Sequence, residues 1–228
     1  MQSLDYPGTP VTEPGVLAPD GTWSPLRGNE PPHELVARRT CVLAVGSNAS
    51  PAVLHAKLAR AEVDETVALV PCLVHGLDVA HSAHVSSGGY LPVTPCRLPS
   101  PRATRRPPPL TAVASWFEPV SLAALDATEP NYQRLSLPSG VHGAPPGAQV
   151  YVSRWGVLAR EGQPVGVRRQ VELHALLRTD PQLAALLPSA DPAATVAALQ
   201  EPEVRAAVSA RLRAPAWSVP TGLSSGAV

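Results

Sequence analysis

The sequence predicts an α+β protein: a core of short strand-like runs with a few helices, an extended proline-rich arm before it, and a helical block after it. Three observations carry this. Apolar β-favouring runs recur between residues 36 and 155; apolar residues switch to three- and four-residue spacing from 166 to 213; and the 28 prolines in 228 residues are more than double ordinary usage of about 5%. Neither helix interiors nor central strands tolerate proline, so the excess must lie in irregular segments.

Each stretch follows in chain order. Residues 1–35 hold Pro7, Pro10, Pro14, Pro19, Pro25, Pro31 and Pro32 with no apolar period, and read as an extended arm that Leu17, Trp23 and Leu26 anchor. Residues 36–155 form the core. Thr40-Cys41-Val42-Leu43-Ala44-Val45, ended by Gly46, reads as a strand buried on both faces. Ser50-Pro51 opens a helix, with serine as N-cap and proline in the first turn, and Val53, Leu54, Leu58 and Ala61 on one side. Further strand-like runs fall at 66–79, 90–94, 111–117, 133–137 and 148–153, with a short helix at 121–128 capped by Ser121. Between two of them, residues 98–109 hold five prolines and three arginines and read as an exposed loop. Residues 156–213 are a helical extension, cut by Asp180-Pro181 and by 189–192 into three or four helices, and 214–228 reads as a disordered tail.

Charge narrows the function classes. Eighteen basic and eighteen acidic side chains cancel, which argues against nucleic acid or an anionic membrane as partner. Lys57 is the only lysine among the basic residues, which matches a GC-rich coding bias. With no run of 18 apolar residues and no signal-peptide pattern at the N-terminus, a cytoplasmic location is expected. Cys41, Cys72 and Cys96, an odd number in apolar surroundings, argue against a disulfide framework.

Two segments could carry chemistry. The turn Gly46-Ser47-Asn48-Ala49 joins a buried strand to a helix start, where unpaired backbone N–H groups and the helix dipole favour a carboxylate or oxyanion. In Leu125-Asp126-Ala127-Thr128-Glu129-Pro130, acidic residues sit at the end of a short helix, where the dipole gives no help and partial burial favours general acid–base work. The plainer alternative is that Asp126 and Glu129 are solvated turn residues or pair with Arg134. Cys72, His75, His81 and His84 fall within thirteen residues. On a strand, residues three apart point to opposite faces, so the pattern predicts core or edge histidines and no metal site, with His81 or His84 also open to lining a ligand cavity.

In order, Val45-Gly46-Ser47-Asn48-Ala49, the strand Ala112 to Phe117, Leu125-Asp126-Ala127-Thr128-Glu129 with Tyr132 and Arg134, and Ala148-Gln149-Val150-Tyr151-Val152 resemble the γ-glutamylcyclotransferase superfamily over residues 40–153. The resemblance implies a small mixed β-barrel with surrounding helices, one enclosed cavity, no cofactor, and a small-molecule γ-glutamyl substrate cyclised to 5-oxoproline. Glu129 would be the catalytic acid–base group, and Gly46, Ser47, Asn48 and Ala49 would bind substrate. Tyr151 would join them, and Tyr90 and Tyr132 read either as walls of that cavity or as ordinary core. Val45 stands where the family has tyrosine, Ala49 where it has leucine, and Pro130 where glycine is common. These departures motivate a second expectation, a catalytically silent binding protein that keeps the fold.

Overall fold

A computed structural model describes residues 3–28, 30–97 and 108–224. The proline- and arginine-rich loop expected at 98–109 lies, for 98–107, outside the described residues. The chain divides into two compact units: 7–78 with 95–154 and 222–228, and 1–6 with 79–94 and 155–221. Both mix helix and strand, so the α+β class holds.

In the first unit, strands β1 (Gly15–Leu17), β2 (Trp23–Pro25), β3 (Thr40–Ala44), β4 (Val67–Val74), β7 (Leu110–Phe117), β8 (Tyr132–Ser136) and β9 (Gln149–Ser153) form one sheet in the order β2-β1-β4-β7-β3-β9-β8. Only β3 and β9 run parallel, with Leu43 opposite Val150; every other neighbouring pair is antiparallel. The sheet is open, with β2 and β8 at its two edges, and this corrects the expected β-barrel. Closure needs long, steeply tilted strands at the seam. One seam strand here has three residues and ends on Pro25, whose missing N–H suits an edge.

The alternation of β3 shows why its run is continuously apolar. Val42 and Ala44 enter one core with Val67, Leu69, Val113, Phe117 and Tyr151, while Cys41 and Leu43 enter another with Ala112, Ala114, Val150 and Val152. Two helices supply Leu54, Leu58, Leu122 and Leu125 to the first core: α1 (Pro51–Arg60) and α2 (Pro119–Ala127). Helix α1 begins as expected, with Ser50 at the N-cap and Pro51 inside, although the Ser50 hydroxyl makes no capping bond. Helix α2 starts earlier than expected, at Glu118-Pro119, so Ser121 is not its cap; it is buried in the first turn. The arm is no bare strap, since β1 pairs with β4 and both Val11 and Leu17 are buried in the first core.

The second unit holds helices α3 (Gln170–Leu177), α4 (Pro181–Leu186), α5 (Pro192–Gln200) and α6 (Pro202–Leu212), and short strands β10 (Val157–Arg160), β11 (Gln163–Pro164) and β12 (Ser218–Val219). A two-stranded ribbon, β5 (Asp78–His81) with β6 (Val93–Cys96), carries the chain between units. Leu173, Leu177, Leu183, Leu199, Val208, Leu212 and Trp217 share one core with Leu91 and Leu158. Trp217 is fully buried and β12 pairs with β10, so the described part of 214–228, through Ser224, is ordered structure where a disordered tail was expected. Asp180 locks this unit: one carboxylate oxygen caps α4 through the N–H groups of Gln182 and Leu183, and the other accepts from Arg211 and Trp217 Nε1.

Candidate functional site

The strand-to-helix turn leaves β3 at Ala44 and forms a single 3₁₀ turn over Ser47–Ala49 before Ser50-Pro51 starts α1. The Ala49 N–H is consumed by the Gly46 carbonyl at 3.0 Å, and the Ala49 carbonyl accepts from the Val11 N–H. Among the described residues, the N–H groups of Ser47 and Asn48 donate to no protein acceptor, so two of the expected amides remain open.

Eighty-one residues later the chain brings Glu129 back to this turn. The C-terminal turn of α2 is fixed by Thr128 Oγ1 and Thr128 N–H on the Leu125 carbonyl, and by the Glu129 N–H on the Asp126 carbonyl at 3.0 Å. Glu129 Oε1 accepts from Asn48 Nδ2 at 3.0 Å and from Lys57 Nζ at 2.5 Å, and Lys57 Nζ also donates to Asn48 Oδ1 at 2.6 Å. Lys57 lies in the last turn of α1, beside the buried Leu58. The side chains of Lys57 and Glu129 keep 20% and 15% of their exposure, so this is a half-sheltered ion pair and not a loose surface one. Glu129 Oε2 has no protein partner among the described residues. Pro130 therefore leaves the carboxylate aimed at the turn.

Asp126 belongs to a separate lock. Arg134 Nε and Nη2 grip its two oxygens at 2.9 Å each, the Tyr151 hydroxyl donates to Oδ1 at 2.7 Å, and Arg134 Nη1 reaches Gln149. Arg134 holds this carboxyl below its ordinary range, with Tyr151 adding to the effect. The general acid–base role open to Asp126 in the sequence is thereby removed, and the pairing with Arg134 foreseen as its alternative is what occurs. Burial, and then the Asp126 carboxylate, push the Tyr151 hydroxyl well above its ordinary value, so it stays a neutral donor.

The remaining expected site residues divide. Gly46 is the turn's N-cap, Tyr132 packs against the core that contains Tyr151, and the Tyr132 N–H donates to the Glu129 carbonyl at 3.0 Å. Tyr90 belongs to the other unit, where its ring stacks on Tyr6 with centroids 4.4 Å apart. A cleft of about 820 Å³, lined by Pro31, Val36, Arg39, Cys41 and Trp116 among others, opens on the first unit. None of the expected substrate-binding residues lines it, so this cleft is not the cavity that the resemblance implies.

His81 and His84 are held by the protein's own groups. His81 Nε2 accepts from the Arg168 N–H at 3.0 Å, leaving Nδ1 to donate to the Leu91 carbonyl, and His84 Nδ1 meets Ser82 Oγ at 2.6 Å. Both are buried in the second unit, so neither lies in the unit that holds Glu129. Burial pushes Cys41 and Cys96 up to about 12, which makes both poor thiolate nucleophiles. Among the described residues no group of three or more His, Cys, Asp or Glu is placed to hold a metal ion, and no helix is long and apolar enough to cross a membrane.

Lys57 is the site residue that sequence reasoning missed. Its signal was compositional: a chain that uses arginine for every other basic residue keeps one lysine, and that lysine pairs with the residue marked for acid–base chemistry. Comparison with protein-family models, curated proteins and solved structures returned no match.

Proposed function

We propose that the chain is a cyclotransferase-like enzyme that converts a γ-glutamyl amine or dipeptide to 5-oxoproline and a free amine, with Glu129 as general acid–base group. The observation that supports this best is the convergence of Asn48 and Glu129, 81 residues apart, at 3.0 Å. Glu129 Oε2 would take a proton from the substrate's α-ammonium. The freed amine then attacks the γ-carbonyl, whose developing oxyanion lies on the open Ser47 and Asn48 N–H groups. Glu129 returns the proton to the leaving nitrogen, because an unactivated amide nitrogen leaves poorly unless protonated.

A second reading rests on Lys57. Its ammonium already sits on Glu129 at 2.5 Å, where a substrate ammonium would compete for the carboxylate. Together with Val45 and Ala49 this favours a binding protein that keeps the γ-glutamyl site without turnover. Incubation with a panel of γ-glutamyl compounds separates the two. The enzyme reading expects 5-oxoproline from the wild type and none from Glu129→Gln; the binding reading expects saturable binding and no product from either.

A further inference from the structure

The contacts among Lys57, Asn48 and Glu129 place an amine, a carboxamide and a carboxyl group within one hydrogen-bonded triangle, and these are the three groups that amide exchange requires. We infer that Lys57 and Asn48 are an intramolecular cross-linking site, joined by an isopeptide bond that Glu129 promotes. The inference uses the chain's own amine and does not depend on any external substrate.

The geometry supports each half of the reaction. Lys57 Nζ lies 2.6 Å from Asn48 Oδ1, beside the carbonyl that it must attack. Glu129 Oε1 touches both nitrogens that exchange: the nucleophile Nζ at 2.5 Å and the leaving Nδ2 at 3.0 Å. One carboxylate oxygen can therefore take a proton from the first and deliver it to the second, which is the requirement for general acid–base catalysis of acyl transfer. The triangle is held on three elements, namely the 3₁₀ turn, α1 and the end of α2, and holding reactants within contact replaces much of the entropic barrier.

The step balances without a co-reactant. The Lys57 ammonium gives a proton to Glu129, and the freed Nζ lone pair forms a bond to Asn48 Cγ after the carboxamide rotates to present its face. The tetrahedral centre collapses by breaking the Cγ–Nδ2 bond; the proton held by Glu129 goes to the departing nitrogen, and Glu129 then relays the surplus Nζ proton to the ammonia so formed. A lysyl ammonium and a primary amide become a secondary amide and an ammonium ion, with Glu129 regenerated as carboxylate. Dilution of the ammonia makes the step one-way. The product ties the 3₁₀ turn to the last turn of α1 and removes the ammonium from Glu129.

The test is the intact mass of the purified full chain, followed by tryptic digestion. Lys57 is the sole lysine, and the arginine-bounded segment 40–60 contains both partners. The expected result is a mass lower than the sequence mass by one ammonia, a 40–60 peptide uncut after Lys57, and no amine-reactive label on Lys57. Lys57→Arg and Glu129→Gln should each restore the full mass. A wild-type chain of full sequence mass that is cut and labelled at Lys57 would overturn the inference. So would an ammonia loss that survives Lys57→Arg or leaves cleavage after Lys57 intact, because that pattern marks cyclisation of Asn48 onto its own backbone. Ammonia loss that persists in Glu129→Gln would equally contradict the role given to Glu129. None of these readouts depends on 5-oxoproline release, so either idea can fail without the other.

Discussion

Only Ala127 and Thr128 separate Asp126 from Glu129, yet each carboxylate has its own cation, and the difference decides their roles. Asp126 spends both oxygens on Arg134 and accepts Tyr151 as well, whereas Glu129 uses one oxygen and leaves the other open. Asp126→Asn removes the bidentate acceptor and turns an NH₂ toward a guanidinium. Because these side chains are 39% and 24% exposed, the expected loss is modest, about 1–2 kcal/mol, read as a lower urea midpoint at unchanged slope. At this scale the sequence was half legible. It marked Glu129 and the 46–49 turn because residue type and chain position suffice to nominate them. It did not reveal that Lys57 joins them, since that contact depends on how α1 lies against the end of α2.

Local elements were read best where a continuous pattern meets a punctuating residue. The apolar run ended by Gly46 is β3, and Ser50-Pro51 starts α1. Ser121 misled because serine is a common N-cap, but Pro119 is equally at home in a first turn and there the proline decided the boundary. Pro130 belongs to the same class of signal. It follows Glu129 directly, and the Tyr132 N–H closes the turn back onto the Glu129 carbonyl. Pro130→Ala should leave the Lys57–Glu129 pair in place and act mainly through the unfolded chain, lowering stability by roughly 0.4–1 kcal/mol in equilibrium urea unfolding. A far larger loss would mean that the proline holds the turn itself.

Pairings between distant segments, by contrast, are not written in local patterns. Nothing in Gly15–Leu17 announces that it pairs with β4, and nothing in 79–94 announces that it joins the unit built from 155–221. The open sheet has the same origin, since closure depends on strand length and tilt at the seam and not on the alternation within any one strand. The second unit also carries a whole-molecule consequence. His174 is buried in α3 with neither ring nitrogen partnered among the described residues, and burial lowers it to about 4; His84 is lowered to about 3 for the same reason. Both are neutral when folded and take up a proton more readily when unfolded. Protons therefore favour the unfolded chain as pH falls below the ordinary histidine value of 6.5, and the loss continues toward about 4 for His174. Urea midpoints across this window should fall with pH. His174→Leu should flatten that fall and leave the neutral-pH midpoint unchanged or higher, because an apolar side chain there strands no polar atom.

The central claim, acid–base chemistry at Glu129, is met most directly by 5-oxoproline release from a γ-glutamyl panel, comparing wild type with Glu129→Gln at matched folded fraction. The account predicts product from the wild type on at least one γ-glutamyl amine or dipeptide and loss of that product in the variant. No product from the wild type, or undiminished product from Glu129→Gln, would contradict it.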